Sequence, residues 1–304
     1  LAGFYLSQVL ITNTIIIFIR NNLMSNWVKN QTTLKGFTLI ELLVVIVIMG
    51  ILVTLVSSLA SRVYGIAKTA SETSALRTLI TGYTTYTTEN NGQLFPGYPD
   101  LSDRTVYAPN GEELFGPAKE RYPWRIAPYL DDAMNALYVN DQLEKLKEIG
   151  LTETYQISLY PSFGLNSEWL GGDYRSTSDP ILEDFGYRLA AKNMGDVKKP
   201  TQQIVFASAK APGPNNSNQG YFELKSSHLP LGTGNTWRWH TVNSKPSNVE
   251  TTDSADHGNL SCRHSGEALS GHLDGSIESL SLKELADMRR WTPFATSENW
   301  SASP

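Results

Sequence analysis

From Phe37 to Ala60 the chain carries no charged side chain except Glu41, and most positions between are Leu, Ile or Val. An apolar run of about 20 residues is what an α-helix needs to cross the roughly 30 Å hydrocarbon core of a bilayer, so residues 37–60 read as a transmembrane helix. Beyond it Leu59, Val63, Ile66 and Ala70, then Leu76, Leu79, Ile80 and Tyr83, recur at three- and four-residue steps. That is the amphipathic helical period, and it extends the same helix over a soluble half at residues 61–91. Gly50 and Gly65 lie inside it as soft points or tolerated positions, with tolerance the expectation for Gly65. Asn90-Asn91-Gly92, followed by Pro96 and Pro99, ends the helix, because glycine accepts the left-handed cap and proline cannot continue the ladder.

Periodicity weakens over residues 92–130, which are rich in Pro, Gly, Tyr and Trp and read as a packed, aromatic-anchored loop. Asn140 is placed to cap a helix over Asp141 to Ile149, stopped by Gly150. Residues 171–200 read as surface turns and a helix, and Gln203 to Ser208 is a short apolar run suited to a buried strand. Near the end, Asp274-Gly275 separates the flanks Ala268 to His272 and Ser276 to Leu280, a strong hairpin signal. Ser281 and Glu284 then have capping-box spacing and predict a helix from Leu282 to about Arg290. No repeat of solenoid length is visible.

Hydrophobic residues make up 40% of the 304, charged residues 18% and aromatic residues 10%, enough for a globular core. Setting aside residues 1–36 removes Arg20, Lys29 and Lys35 from the 25 basic residues and no acid, leaving 22 against 30, a net charge of −8. An acidic body argues against nucleic-acid binding. Cys262 is the only cysteine, so no intramolecular disulfide forms, and it reads as a small buried hydrophobe. No G-x-S-x-G elbow, Walker A sequence or G-x-G-x-x-G is present, and the chain is read as no enzyme.

A carboxylate within a membrane helix costs about 2.5 to 3.5 kcal/mol when central and asks for a positive partner. Cleavage between Gly36 and Phe37 would supply one, the new α-amino group of Phe37. Lys29 and Lys35 before the helix predict a cytoplasmic leader and an extracytoplasmic remainder. A second apolar run, Val9 to Ile19, and Leu at position 1 are awkward for that leader. A start at Met24 would give the short basic leader MSNWVKNQTTLKG, making 1–23 a misassigned start; the other reading of the run is a signal-peptide core.

The segment Lys35-Gly36-Phe37-Thr38-Leu39-Ile40-Glu41-Leu42-Leu43-Val44-Val45-Ile46 resembles the processing site of type IV prepilins and type II secretion pseudopilins. The resemblance implies that a membrane aspartyl prepilin peptidase cuts after Gly36 and methylates Phe37. It further implies that Glu41 pairs with the amine of a neighbouring subunit's Phe37 during fibre assembly. Arg263 to Leu280 sets nine residues between His264 and Asp274-Gly275 and resembles the H-x9-DG motif of a large bacterial branch of prepilin-like proteins. Phe163-Gly164-Leu165-Asn166 and Ile204-Val205-Phe206-Ala207 look like its internal segments.

The fold expected is α+β: a long N-terminal transmembrane and amphipathic α-helix, the pilin spine, packed on a small antiparallel β-sheet head with extra loops and short helices. Residues 1–36 are the leader, 92–285 the head and 286–304 a tail. The function implied is a pilin-like or pseudopilin subunit of a type II secretion or type IV pilus-like fibre, single-pass in the bacterial inner membrane with its head extracytoplasmic. Its partners would be the prepilin peptidase, copies of itself and other pilin-like subunits, the inner-membrane assembly platform, and lipid. The alternative is a minor pilin or anchored envelope protein whose head binds carbohydrate or a receptor through Trp237-Arg238-Trp239-His240. No cofactor is expected. His264, His272 and Asp274, with Asp253, Asp256 and His257 near in sequence, have ligand chemistry for calcium or a mixed site but fit no standard metal spacing. Hydrogen bonding of His264 and Asp274 to turn backbone is the reading adopted.

Overall fold

The computed structural model describes residues 36–131, 133–140, 142–148, 154–174, 189–213, 220–230, 236–239 and 254–301. The Met24 start, the leader lysines, the Val9 to Ile19 run, Asp141, Ile149, Gly150, His240 and Asp253 lie outside them. The chain divides into two compact units after Arg62.

In the first unit, helix α1 (Leu39–Glu89) begins where the apolar run begins. Thr38 and Glu41 form a capping box. The Thr38 amide and hydroxyl each donate to Glu41 Oε2 at 2.9 Å, and the Glu41 amide reaches back to Thr38 Oγ1 at 3.4 Å. The large apolar side chains from Leu39 to Val56 are exposed all round the helix. A helix apolar on every side is a membrane span or a buried core element, and this one is long and apolar enough to cross a membrane.

In the second unit the antiparallel order is β3-β4-β7-β8, formed by Phe163–Leu165, Ile204–Ser208, Glu267–His272 and Ile277–Ser281. Two small ladders lie apart from it: β1 (Val106–Tyr107) with β2 (Glu113–Leu114), and β5 (His228–Pro230) with β6 (Thr236–Arg238). The four-stranded sheet has a core on each face. One joins Leu76, Leu79, Ile80 and Tyr83 of α1 to Val205, Phe206 and Leu269. The other joins Trp169, Ile204, Ala207 and Ala268 to Leu285, Met288 and Trp291.

A register shift between Ile204 and Phe206 lets adjacent Val205 and Phe206 both join the helix-side core, which simple alternation forbids. Gly271 admits the helix: a Cβ there would lie 2.1 Å from Ile80 Cδ1. The second core draws on the segment after Leu285, where Met288, expected on the closing helix, and Trp291, expected beyond it, are fully buried.

Four local expectations are corrected. Val63 and Ile66, assigned to the amphipathic stripe, are 63% and 69% exposed, because the described packing on α1 begins near Thr69 and Glu72. The segment after α1 is more than a loop. It holds the β1–β2 ladder, α2 (Pro117–Glu120) and α3 (Tyr122–Ile126), each with proline in its first turn, where a missing N–H costs nothing. Helix α4 (Gln142–Glu148) forms near its expected place, but the Asn140 amide donates to a side chain of α1; α5 (Thr154–Leu159) follows. The last helix, α6 (Leu282–Leu285), has its capping box but stops early. Asp287 turns extended and caps a separate 3-10 turn at Met288–Arg290 through the Arg289 amide.

Candidate functional site

Gly36 is exposed with nothing within 4 Å of a notional Cβ, so the backbone there is open to a protease. Phe37 is 80% exposed. Beside it Phe37, Ile40, Glu41, Val44 and Val45 line an open groove of about 340 Å³. Glu41 lies in the first turn, where the helix dipole favours an anion, and Oε2 takes both Thr38 bonds. The carboxylate is thus held locally through Oε2. The capping box gives Glu41 a local role that the T-x-x-E spacing of Thr38 and Glu41 encodes.

The second site lies within the second unit. Glu72 of α1 is fully buried. Arg263 meets its Oε2 through Nη2 at 2.7 Å and Nε at 2.8 Å, and His264 Nε2 lies 3.0 Å from the same oxygen. The Asn140 amide donates to Oε1. Burial alone would raise the Glu72 pKa; the bonds and charges of His264 and Arg263 overcome it and hold the group at about 2. Arg263 also donates to the carbonyls of Ala209 and Ser162, each at 3.2 Å.

Local geometry aims these groups. His264 and Glu267 exchange backbone bonds of 3.1 and 3.0 Å around Ser265 and Gly266, both at positive φ. Two such central residues make the tight turn that matches strand twist and leads into β7. Asn140 is likewise at positive φ, 55°, which turns its amide from the α4 terminus toward Glu72.

His264 Nδ1 lies 3.2 Å from Thr69 Oγ1, so hydroxyl, imidazole and carboxylate stand in a row. The row lacks the character of a nucleophile relay. The Thr69 hydroxyl donates to Gly65 O at 3.1 Å within its own helix, and Glu72 is engaged by Arg263 and Asn140.

The H-x9-DG residues therefore separate. His264 joins Glu72 instead of turn backbone. Asp274 stays local, its Oδ1 accepting from the Ser276 amide at 3.0 Å and hydroxyl at 2.7 Å. Gly275 takes φ 91° and donates to His272 O at 3.0 Å, closing the hairpin. His272 is buried, its Nε2 3.7 Å from Glu278 Oε2, and burial pushes its pKa below the ordinary value. Among the described residues no three His, Cys, Asp or Glu side chains gather as a metal shell. Asp256 and His257 lie on a 3-10 turn, Ser254–His257. Trp239 is buried, donates to Lys225 O at 3.2 Å and packs edge-on to Trp291, so it offers no sugar-stacking face. Burial pushes the Cys262 thiol up to about 12.

Residues 35–57 match the family described as the prokaryotic N-terminal methylation motif. The match spans the apolar half of α1 with Gly36, Phe37 and Glu41. No curated protein and no solved structure matches the chain. The chain thus carries a prepilin-type N-terminal motif on a helix able to cross a membrane, followed by an α+β head.

Proposed function

We propose that the chain is a pilin-like subunit, of the pseudopilin kind, inserted through residues 37–60, cut after Gly36 by prepilin peptidase and methylated on Phe37. It then polymerises with copies of itself or other pilin-like subunits at an inner-membrane assembly platform, its head extracytoplasmic. The observation that carries this is one carboxylate, Glu41, one turn inside an exposed apolar helix matched by the methylation motif.

In lipid an unpaired charge is costly, so a neighbouring Phe37 ammonium would fix axial register while Leu42, Val45, Ile48 and Leu52 bury against adjacent helices. The role is structural, with binding and burial in place of catalysis.

Glu41→Ala and Glu41→Leu are expected to insert and be cleaved normally while their incorporation into sheared fibres falls at least tenfold. Incorporation of both at the wild-type level defeats the pairing role.

A further inference from the structure

Within the second unit an open cleft of about 630 Å³ lies between α1, the 3-10 turn Met134–Leu137 and α4, a volume in the range of small-molecule sites. Ser71, Ser74, Ala75 and Thr78 form one wall, because residues three, four and seven apart share a helix face. Asn135 and Asn140 come from the turn and the segment after it, and Leu143 and Glu144 from α4. The hydroxyls of α1 are not alike. Thr73, Thr78, Thr81, Thr85 and Thr88 each donate to the carbonyl four residues earlier, which uses their one proton. Ser71 and Ser74 are exposed and have no hydrogen-bond partner among the described residues, so their protons are free for a ligand. The Asn135 side chain is exposed and equally unengaged. Asn140 gives an amide hydrogen to Glu72, which fixes its side chain and leaves its oxygen to accept.

The chemistry of these groups selects a ligand class. Hydroxyl and amide side chains donate and accept without charge, which matches the hydroxyls of a sugar. Ala75, Ala136, Val139 and Leu143 add apolar surface for the C–H face of its ring. Among the described residues no lysine or arginine lines the cleft, and Glu144 would repel a phosphate or sulfate. A lone exposed carboxylate holds a cation weakly but accepts well from ligand hydroxyls. A peptide fits less well. It needs unpaired backbone groups or a mainly apolar groove, and the α1 wall is a helix whose backbone is bonded internally. We propose that this cleft binds a neutral saccharide, with Ser71, Ser74, Asn135, Asn140 and Glu144 meeting its hydroxyls. The site depends neither on cleavage after Gly36 nor on assembly, and none of its lining belongs to the Trp237 to His240 segment.

The test is a glycan array carrying neutral, sialylated and sulfated oligosaccharides, probed with the full-length chain in a polyoxyethylene detergent, since a glycosidic detergent would itself compete. Neutral oligosaccharides should bind, and the affinity for the strongest is then compared among variants. Ser74→Leu places a branched apolar side chain in the cleft and should weaken binding at least tenfold. Asn135→Ala removes one amide and should weaken it roughly two- to tenfold, the scale of one hydrogen bond. Thr81→Leu, exposed on α1 outside the cleft, should bind as the wild type does. Unchanged urea midpoints show that the variants are folded; should Ser74→Leu fail that check, Asn135→Ala decides alone. Binding of no glycan, binding of anionic glycans only, wild-type affinity in Asn135→Ala, or an equal loss in Thr81→Leu overturns the proposal.

Discussion

Glu41 and Glu72 ride the same helix and differ in what satisfies them. Glu41 is held by the helix's own first turn, through Thr38, three residues away. Glu72 is held by groups distant along the chain: Asn140, Arg263 and His264, 68, 191 and 192 residues away. Around Glu41 the apolar side chains are exposed, whereas around Glu72 Leu76, Leu79 and Ile80 are buried. A carboxylate capped only locally can take another partner without disturbing the head. A carboxylate at the meeting of three elements cannot be spared. The first is suited to assembly, the second to holding the head on its helix.

The sharpest way to break this contrast acts beside Glu41. Gly36→Asp puts a charged side chain where the backbone is open, and processing should be abolished, seen as an intact mass that keeps the leader. The fold of the second unit should be untouched, because a Cβ added at Gly36 meets nothing within 4 Å. Loss of head structure in Gly36→Asp would show the two regions to be coupled. Next in size is Glu72→Leu, which strips Arg263 and His264 of their counter-charge in a buried site. Removing one member of such a pair costs about 3 to 5 kcal/mol, readable as a lowered urea midpoint in detergent. A loss below 1 kcal/mol would place the holding force elsewhere.

The two carboxylates also differ in how visible they were along the chain. Glu41 stands out because everything beside it is apolar and because Lys35 to Ile46 is local sequence with a known resemblance. Helix α1, the strand at Ile204–Ser208, the hairpin around Gly275 and the Ser281 capping box were legible for the same reason: each is a pattern within a few residues. Glu72 carried one signal, an acid at helical spacing on the stripe of Leu76, Leu79, Ile80 and Tyr83. Nothing local names Arg263 and His264 as its partners, since no period links residues more than 190 apart. The early stop of α6 was hidden for a related reason. Leu282 to Arg290 reads as one helix until Asp287 is seen to cap a new turn. Val63 and Ile66 erred in the opposite direction, since a correct helical period says nothing of where packing on it begins.

Acid separates the carboxylates by a smaller amount. Glu72 is held at about 2 against an ordinary 4.5, a depressed value. Its contribution is therefore complete above about pH 4.5 and is lost as the pH falls towards 2, amounting to about 3 kcal/mol across that window. The urea midpoint of the wild type should fall between pH 5 and pH 2.5. In Glu72→Gln, already weaker at pH 5, the fall should be much reduced. Equal slopes in both would assign acid sensitivity to the exposed carboxylates Asp274 and Glu284, which local bonds also hold low.

The smallest effect belongs to the cap itself. Thr38→Val keeps the Thr38 amide bond to Glu41 Oε2 but removes the hydroxyl that gives a second and that accepts from the Glu41 amide. Loss of an N-cap hydroxyl costs about 1 kcal/mol, confined to the first turn. Hydrogen exchange should quicken roughly fivefold at the first amides of α1, residues 39–42, with the urea midpoint of the head unchanged. The substitution also leaves Glu41 freer to turn towards an incoming ammonium. If Glu41 serves only to cap its helix, Thr38→Val and Glu41→Leu should be alike in fibre incorporation. If it is held for a second partner, Thr38→Val should incorporate near the wild-type level while Glu41→Leu does not.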